Sequence, residues 1–247
     1  MSDAAPILTA VNLKKSFGHV TALDGMSMAV NQGEIVAVVG DNGCGKSTLL
    51  KILCGVMRAD EGTIIVNGTS YSGYGVREAQ ALGITAMYQD LALDPMRDVA
   101  GNIFLGSELT IKGVWIDRKR MRLKTAELLN ALSINIPDPT VLVKHLSGGQ
   151  RQSIAIARAI YRKTKIMMFD EPTAAMGVAE TRKILQLILG LREEGITTIL
   201  ISHNLFQVFE VADRIVIMGV GNAMADVKTR DSSPDEINHL ITNRGAR

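Results

Sequence analysis

The run Ile35-Val-Ala-Val-Val39 is wholly apolar, and Gly40-Asp-Asn-Gly-Cys-Gly45-Lys46-Ser47 comes directly after it. A strand with no polar position is buried on both faces, which places it inside a parallel sheet covered by helices. Ser47–Leu53 has the composition of such a helix. The glycine-rich segment between them matches the phosphate-loop pattern. Glycines let backbone N–H groups converge on phosphate oxygens, and a helix N-terminus adds favourable potential. A purely structural glycine turn is the competing reading, and the strand–loop–helix setting weighs against it. Lys46 is expected to reach terminal phosphates and Ser47 to ligate Mg²⁺. Gly40, Asp41, Asn42, Gly43, Cys44, Gly45 and Thr48 form the rest of the loop.

Further strands are expected at Ile166–Phe169, Thr197–Ser202 and Arg214–Met218, with helices at about Ala179–Glu193 and Leu205–Val211. This alternation implies a parallel sheet. Ile7–Leu13, Met26–Val30 and Thr63–Val66, the last ending at Asn67-Gly68, read as a small antiparallel sheet near the N-terminus. Between about 92 and 160 the pattern turns helical. Arg118–Leu132 carries Met121, Thr125, Leu128, Leu129 and Leu132 on one side, and Ser153–Tyr161 reads as a second helix.

Length and composition fit one large domain or one domain with an inserted subdomain: 247 residues, 47% hydrophobic and 21% charged. The formal charge of +2 gives no broad pull toward nucleic acid or anionic lipid. Two cysteines, Cys44 and Cys54, cannot make a disulfide framework and suit a reducing compartment. Mean hydropathy is +0.16, yet no apolar run approaches the roughly 18 residues of a membrane span. The first residues lack the basic and long apolar regions of a signal peptide. A soluble cytosolic protein is expected.

Two further segments carry chemistry. Ile166-Met-Met-Phe-Asp170-Glu171 delivers two carboxylates at the end of an apolar strand. Alone this is a common loop start; beside a phosphate loop, Asp170 is expected to hold Mg²⁺ through water and Glu171 to orient the attacking water. Leu146-Ser147-Gly148-Gly149-Gln150 precedes a helix and again makes an anion site. With this pentapeptide the chain resembles the ATP-binding-cassette (ABC) ATPases, whose signature motif it is. The resemblance runs from about Ile7 to Met218.

The resemblance implies an α/β phosphate-loop NTPase (RecA-like) with a parallel-sheet core, an N-terminal antiparallel β subdomain and an inserted helical subdomain. Residues 1–247 would form a single ABC ATPase domain. Its nucleotide-binding core would be 7–90 and 162–220, its helical subdomain 91–161 and its tail 221–247. Phe17 would stack on adenine. Gln89 would sense Mg²⁺ and the γ-phosphate, and His203 would contact that phosphate. Ser147, Gly148, Gly149 and Gln150 would serve the phosphate loop of a second copy, in an ATP-sandwich homodimer that a Glu171→Gln variant should trap. Gly177 stands where the family commonly has an aspartate that speaks across the dimer. Ala174-Ala-Met-Gly-Val178, Asp98–Gly106 and Ser202–Asp213 resemble the monosaccharide-import branch, its single-cassette fructose-type members above all.

In function the resemblance implies an ATP- and Mg²⁺-dependent motor on the inner face of the cell membrane. It would dock on permease subunits through about Leu91–Asp98, with a periplasmic or extracellular sugar-binding protein acting indirectly and no nucleic acid bound. A soluble cassette ATPase acting on nucleic acid or ribosomes, a cassette for another substrate, and a nucleotide-binding module without turnover are the alternatives. The near-neutral charge disfavours the first. The presence of Lys46, Asp170, Glu171 and His203 disfavours the last.

Overall fold

The computed structural model describes residues 5–88, 91–174 and 176–244. In chain order these form β1 (Leu8–Phe17), β2 (Val20–Val30), β3 (Ile35–Gly40), α1 (Lys46–Leu53), β4 (Glu61–Val66), β5 (Thr69–Tyr71), α2 (Val76–Ala81) and β6 (Ile84–Met87). Next come α3 (Val99–Ile103), β7 (Thr110–Ile111), β8 (Trp115–Ile116), α4 (Arg118–Ala131) and α5 (Gly148–Tyr161). The remainder is β9 (Ile166–Asp170), α6 (Val178–Glu193), β10 (Thr197–Ile201), α7 (Leu205–Val211), β11 (Arg214–Gly219), β12 (Asn222–Lys228) and α8 (Pro234–Arg244).

The chain divides into two compact units. The first holds residues up to 88, 165–171 and from 191 onward. Its main sheet has the order β12-β11-β3-β10-β9-β6, parallel except for β12. Every residue of β3 and β10 is buried, as a strand covered on both faces demands. The second sheet, β2-β1-β4-β5, is antiparallel. Asn67 (φ 48°) and Gly68 (φ 77°) make its β4–β5 turn, the left-handed pair that a tight hairpin requires. The expected α/β class, with a parallel core and an N-terminal antiparallel sheet, is the architecture found. β1 and β2 run well past the expected strands, because their polar positions form the exposed face of a long ribbon.

The second unit holds 91–164 and 172–190. Residues 172–190, assigned from the sequence to the nucleotide-binding core, group here. Met121, Thr125 and Leu129 are the buried stripe of α4, at the spacing of one helical face. Met121 and Leu129 pack with Val99, Ile103, Phe104 and Ile154, and Phe104 meets Tyr161 at a centroid distance of 4.4 Å.

A charged knot braces the first unit. Arg214 on β11 forks onto Glu34, with Nε at 2.7 Å from Oε1 and Nη2 at 3.1 Å from Oε2, and it also binds Asp226 and the Ala29 carbonyl. Burial pushes the Glu34 carboxyl up, but the hydrogen bonds from Arg214 and the Asn31 backbone outweigh it and hold the group below the usual carboxylate range. A carboxylate with a depressed folded pKa stabilises above its unfolded value and loses that contribution as pH falls through the folded one. Arg214→Met therefore leaves two carboxylates without their partner. The expected cost is about 3 kcal/mol near neutral pH. Urea midpoints of both chains should draw together as the medium is acidified through the carboxylate range.

Candidate functional site

The C-terminal ends of three adjacent parallel strands build the site. Val38, Ile201 and Asp170 align across β3, β10 and β9. The phosphate loop therefore leaves β3 beside His203 after β10, and Glu171 comes just after β9. Functional crevices in open α/β sheets lie at this edge.

The phosphate loop is held by its walls. A Cβ on Gly40 (φ 152°) would stand 2.2 Å from the Met218 carbonyl oxygen. One on Gly45 (φ 106°) would stand 2.3 Å from that of Ala22. Gly43 (φ 84°) has open space around it. The Gly221 N–H donates to the Cys44 carbonyl at 3.1 Å and the Asp24 N–H to the Gly221 carbonyl at 2.9 Å, so the β11–β12 turn ties the loop to β2. The β11–β12 turn is thus a wall of the loop. Cys44 and Cys54 are free and buried, which suits Cys44 as a packing residue rather than a redox-active thiol.

Lys46 is buried, and its Nζ donates to the carbonyls of Gly40 at 2.7 Å and Asp41 at 2.8 Å. No side chain caps α1, whose N-cap is Gly45, so its leading N–H groups are left for another acceptor. Ser47 is exposed in that first turn and Thr48 is half-buried. Neither the Ser47 hydroxyl nor the half-buried Asp170 carboxylate donates or accepts a side-chain hydrogen bond among the described residues. Two such hard oxygen donors fit Mg²⁺, which completes its shell with water and phosphate.

Glu171 has φ 53°, unusual outside glycine, and its N–H donates to the Ile201 carbonyl at 3.0 Å. That conformation turns its carboxylate onto His203, with Oε1 2.8 Å from Nδ1. A carboxylate only accepts, so the proton lies on Nδ1 and Nε2 faces outward. Phe17 ends β1 with a 46%-exposed ring. Gln89 lies outside the described residues.

In the second unit Ser147 and Gln150 form a capping box. The Ser147 Oγ accepts from the Gln150 N–H at 3.3 Å and the Gln150 Oε1 from the Ser147 N–H at 3.1 Å. α5 therefore starts at Gly148 rather than at the expected Ser153. Gly148 has nothing within 4 Å of a built Cβ and Gly149 meets only Glu180 at ordinary contact. Neither needs glycine for this chain's own packing, although each weakens a helix.

Two residues were missed from the sequence. Arg158 on α5 donates to the carbonyls of Leu91 and Ala92, both at 2.9 Å, and burial lowers its pKa. Asn102 is fully buried, accepts from the Asp94 N–H and donates to the Asp94 and Asp98 carbonyls. Together they fix the segment after position 90. Asn102 in a five-residue helix and an arginine among isoleucines and alanines give no pattern beyond their polarity.

A family model described as ABC transporter matches residues 23–174. The chain is 43% identical over 242 residues to the xylose/arabinose import ATP-binding protein XylG of Sulfolobus acidocaldarius, covering 98% of this chain and 95% of the relative. It is 44% identical over 233 residues to the fructose import ATP-binding protein FrcA of Rhizobium meliloti, covering 92% and 90%. The dimeric structure of the ATP-binding cassette MJ0796, in a post-hydrolysis state bound to ADP and Pi, superposes with a TM-score of 0.75 at 25% identity, covering 90% of this chain and 99% of that one. The chain belongs to the ABC transporter family and is an ATPase of its cassette type.

The loop walls set a ranking. Gly45→Ala should cost on the order of 3 kcal/mol or prevent folding, because its Cβ meets backbone. Gly43→Ala should cost only about 1 to 2 kcal/mol, the left-handed penalty alone. Thermal melts of the two variants check it.

Proposed function

We propose that the chain is the ATP-hydrolysing subunit of a monosaccharide importer. The observation that carries the hydrolytic part is the Glu171–His203 contact beside the phosphate loop. Lys46 and the N–H groups of residues 43–48 would bind phosphates, and Phe17 the adenine. Asp170 and Ser47, with Gln89, would hold Mg²⁺, which when bound neutralises phosphate charge. Glu171 would hold and polarise the attacking water, and His203 would keep that carboxylate aimed while offering Nε2 to the γ-phosphate.

Nucleotide would be closed in by Ser147 and Gly149 of a second copy. Two glycines without a packing role, at the start of a helix capped by Ser147, support close backbone approach by an outside anion. The sugar-import names of these relatives support sugar as the cargo. The chain would lie on the inner face of the membrane against a permease, with a sugar-binding protein on the other side. Leu91–Asp98 is the proposed docking segment, fixed by Arg158 and Asn102.

Asp98 is a poor probe of that docking, since its carboxylate caps α3 by accepting from the Gly101 N–H at 2.7 Å. Met96, 65% exposed, is the better one. ATPase activity of the chain should rise when membranes holding the permease are added. Glu171→Gln should lower it by about a thousandfold in both settings. Met96→Glu should remove the stimulation and keep the basal rate. Brisk turnover indifferent to membranes would favour the soluble ATPase.

A further inference from the structure

The strands β7 and β8 form a two-stranded hairpin, pairing Thr110 with Ile116 and Ile111 with Trp115. Lys112 (φ 52°) and Gly113 (φ 75°) turn the chain at its tip. Every residue of the two strands is exposed. Trp115 is 74% exposed, Val114 73%, Ile111 51% and Ile116 50%. A large aromatic and three aliphatic side chains in water at one tip are costly unless something covers them.

Charge names the covering. Residues 110–124 hold Lys112, Arg118, Lys119, Arg120, Arg122 and Lys124 against Asp117 alone. That is a net +5 in a chain of formal charge +2, so the remaining residues sum to −3. Whole-chain charge hides this patch. Its basic side chains are largely exposed, and among the described residues only Arg122 comes within reach of a carboxylate, Asp98 at 3.8 Å. Ile116, Arg118 and Arg122 line the same cleft, so the apolar tip and the basic turns of α4 are neighbours.

We propose that the β7–β8 hairpin and the first turns of α4 are a lipid-contact element that seats Trp115 in the headgroup layer of an anionic bilayer. Stable surface binding takes two signals, an inserted apolar group and a polybasic patch, and both occur within fifteen consecutive residues. Tryptophan favours this layer because its ring is apolar and its N–H is polar. A standard protein interface takes about 800 Å² on each side, whereas this tip presents four exposed apolar residues on one two-stranded ribbon. The element does not depend on which solute is moved or on ATP turnover.

Trp115 is the one tryptophan of the chain, so its emission reads the site directly. The full chain is titrated with vesicles of phosphatidylcholine alone and with about one third phosphatidylglycerol. A blue shift with the anionic vesicles only, reversed by high salt, is expected. The double variant Lys119→Glu/Arg120→Glu should weaken partitioning by about 25-fold or more, on the order of fivefold for each of the two positive charges removed. Its thermal melt should match the parent. No shift with anionic vesicles overturns the proposal, as does sedimentation with vesicles while the emission stays unchanged. A shift produced only by permease-bearing membranes also overturns it and assigns the tip to a protein partner.

Discussion

Two backbone approaches govern the nucleotide site. Gly40 packs onto the Met218 carbonyl and Gly45 onto that of Ala22, each with no room for a Cβ. The phosphate loop is therefore pressed between β11 on one side and β2 of the antiparallel sheet on the other. A loop free to breathe would lose convergent N–H groups, and with them the preorganisation that makes such a cradle effective. The antiparallel sheet and the β11–β12 turn are walls of that cradle rather than ornaments of the fold. Parallel register does the rest, because aligned strand ends bring Glu171 and His203 to the same edge as Lys46.

The signature helix shows the opposite pattern. Gly148 and Gly149 are not demanded by anything they touch in their own chain. A helix start that keeps two such glycines under a Ser147–Gln150 capping box is shaped for an outside partner, which is the physical basis for the proposed second copy. Arg158 links this same helix to residues 91 and 92. A displacement at the proposed docking segment would therefore be felt at the signature, provided that its contacts differ between open and closed dimers.

Much of this was legible in the sequence because it rests on strong local rules. Buried strands are continuous apolar runs, and phosphate loops need glycine where φ is positive. The stripe of α4 and the Asn67-Gly68 turn arise from period and backbone preference. Other features left no such trace. β7 and β8 have two residues each and α3 has five, below the length at which periodicity can be read. β12 is half-exposed, with mixed composition. The 2.8 Å contact of Glu171 with His203 joins residues 32 apart, and only strand order brings them together. Residues 172–190 continue from the acidic strand without a break, yet they cluster with the helical segments. The basic patch beside Trp115 was masked by averaging charge over the whole chain.

In the proposed dimer one chain's phosphate loop is completed by the signature of another. Mixing two inactive chains, Lys46→Ala and Ser147→Arg, tests it most directly. Each homodimer lacks one essential part at both sites. A mixed dimer holds one site in which an intact phosphate loop faces an intact signature. ATP hydrolysis, absent from either chain alone, is expected to return on mixing and to scale with the mixed-dimer fraction. Mixtures as inactive as their components, although mixed dimers form, would contradict it and mean that each chain's signature serves no partner.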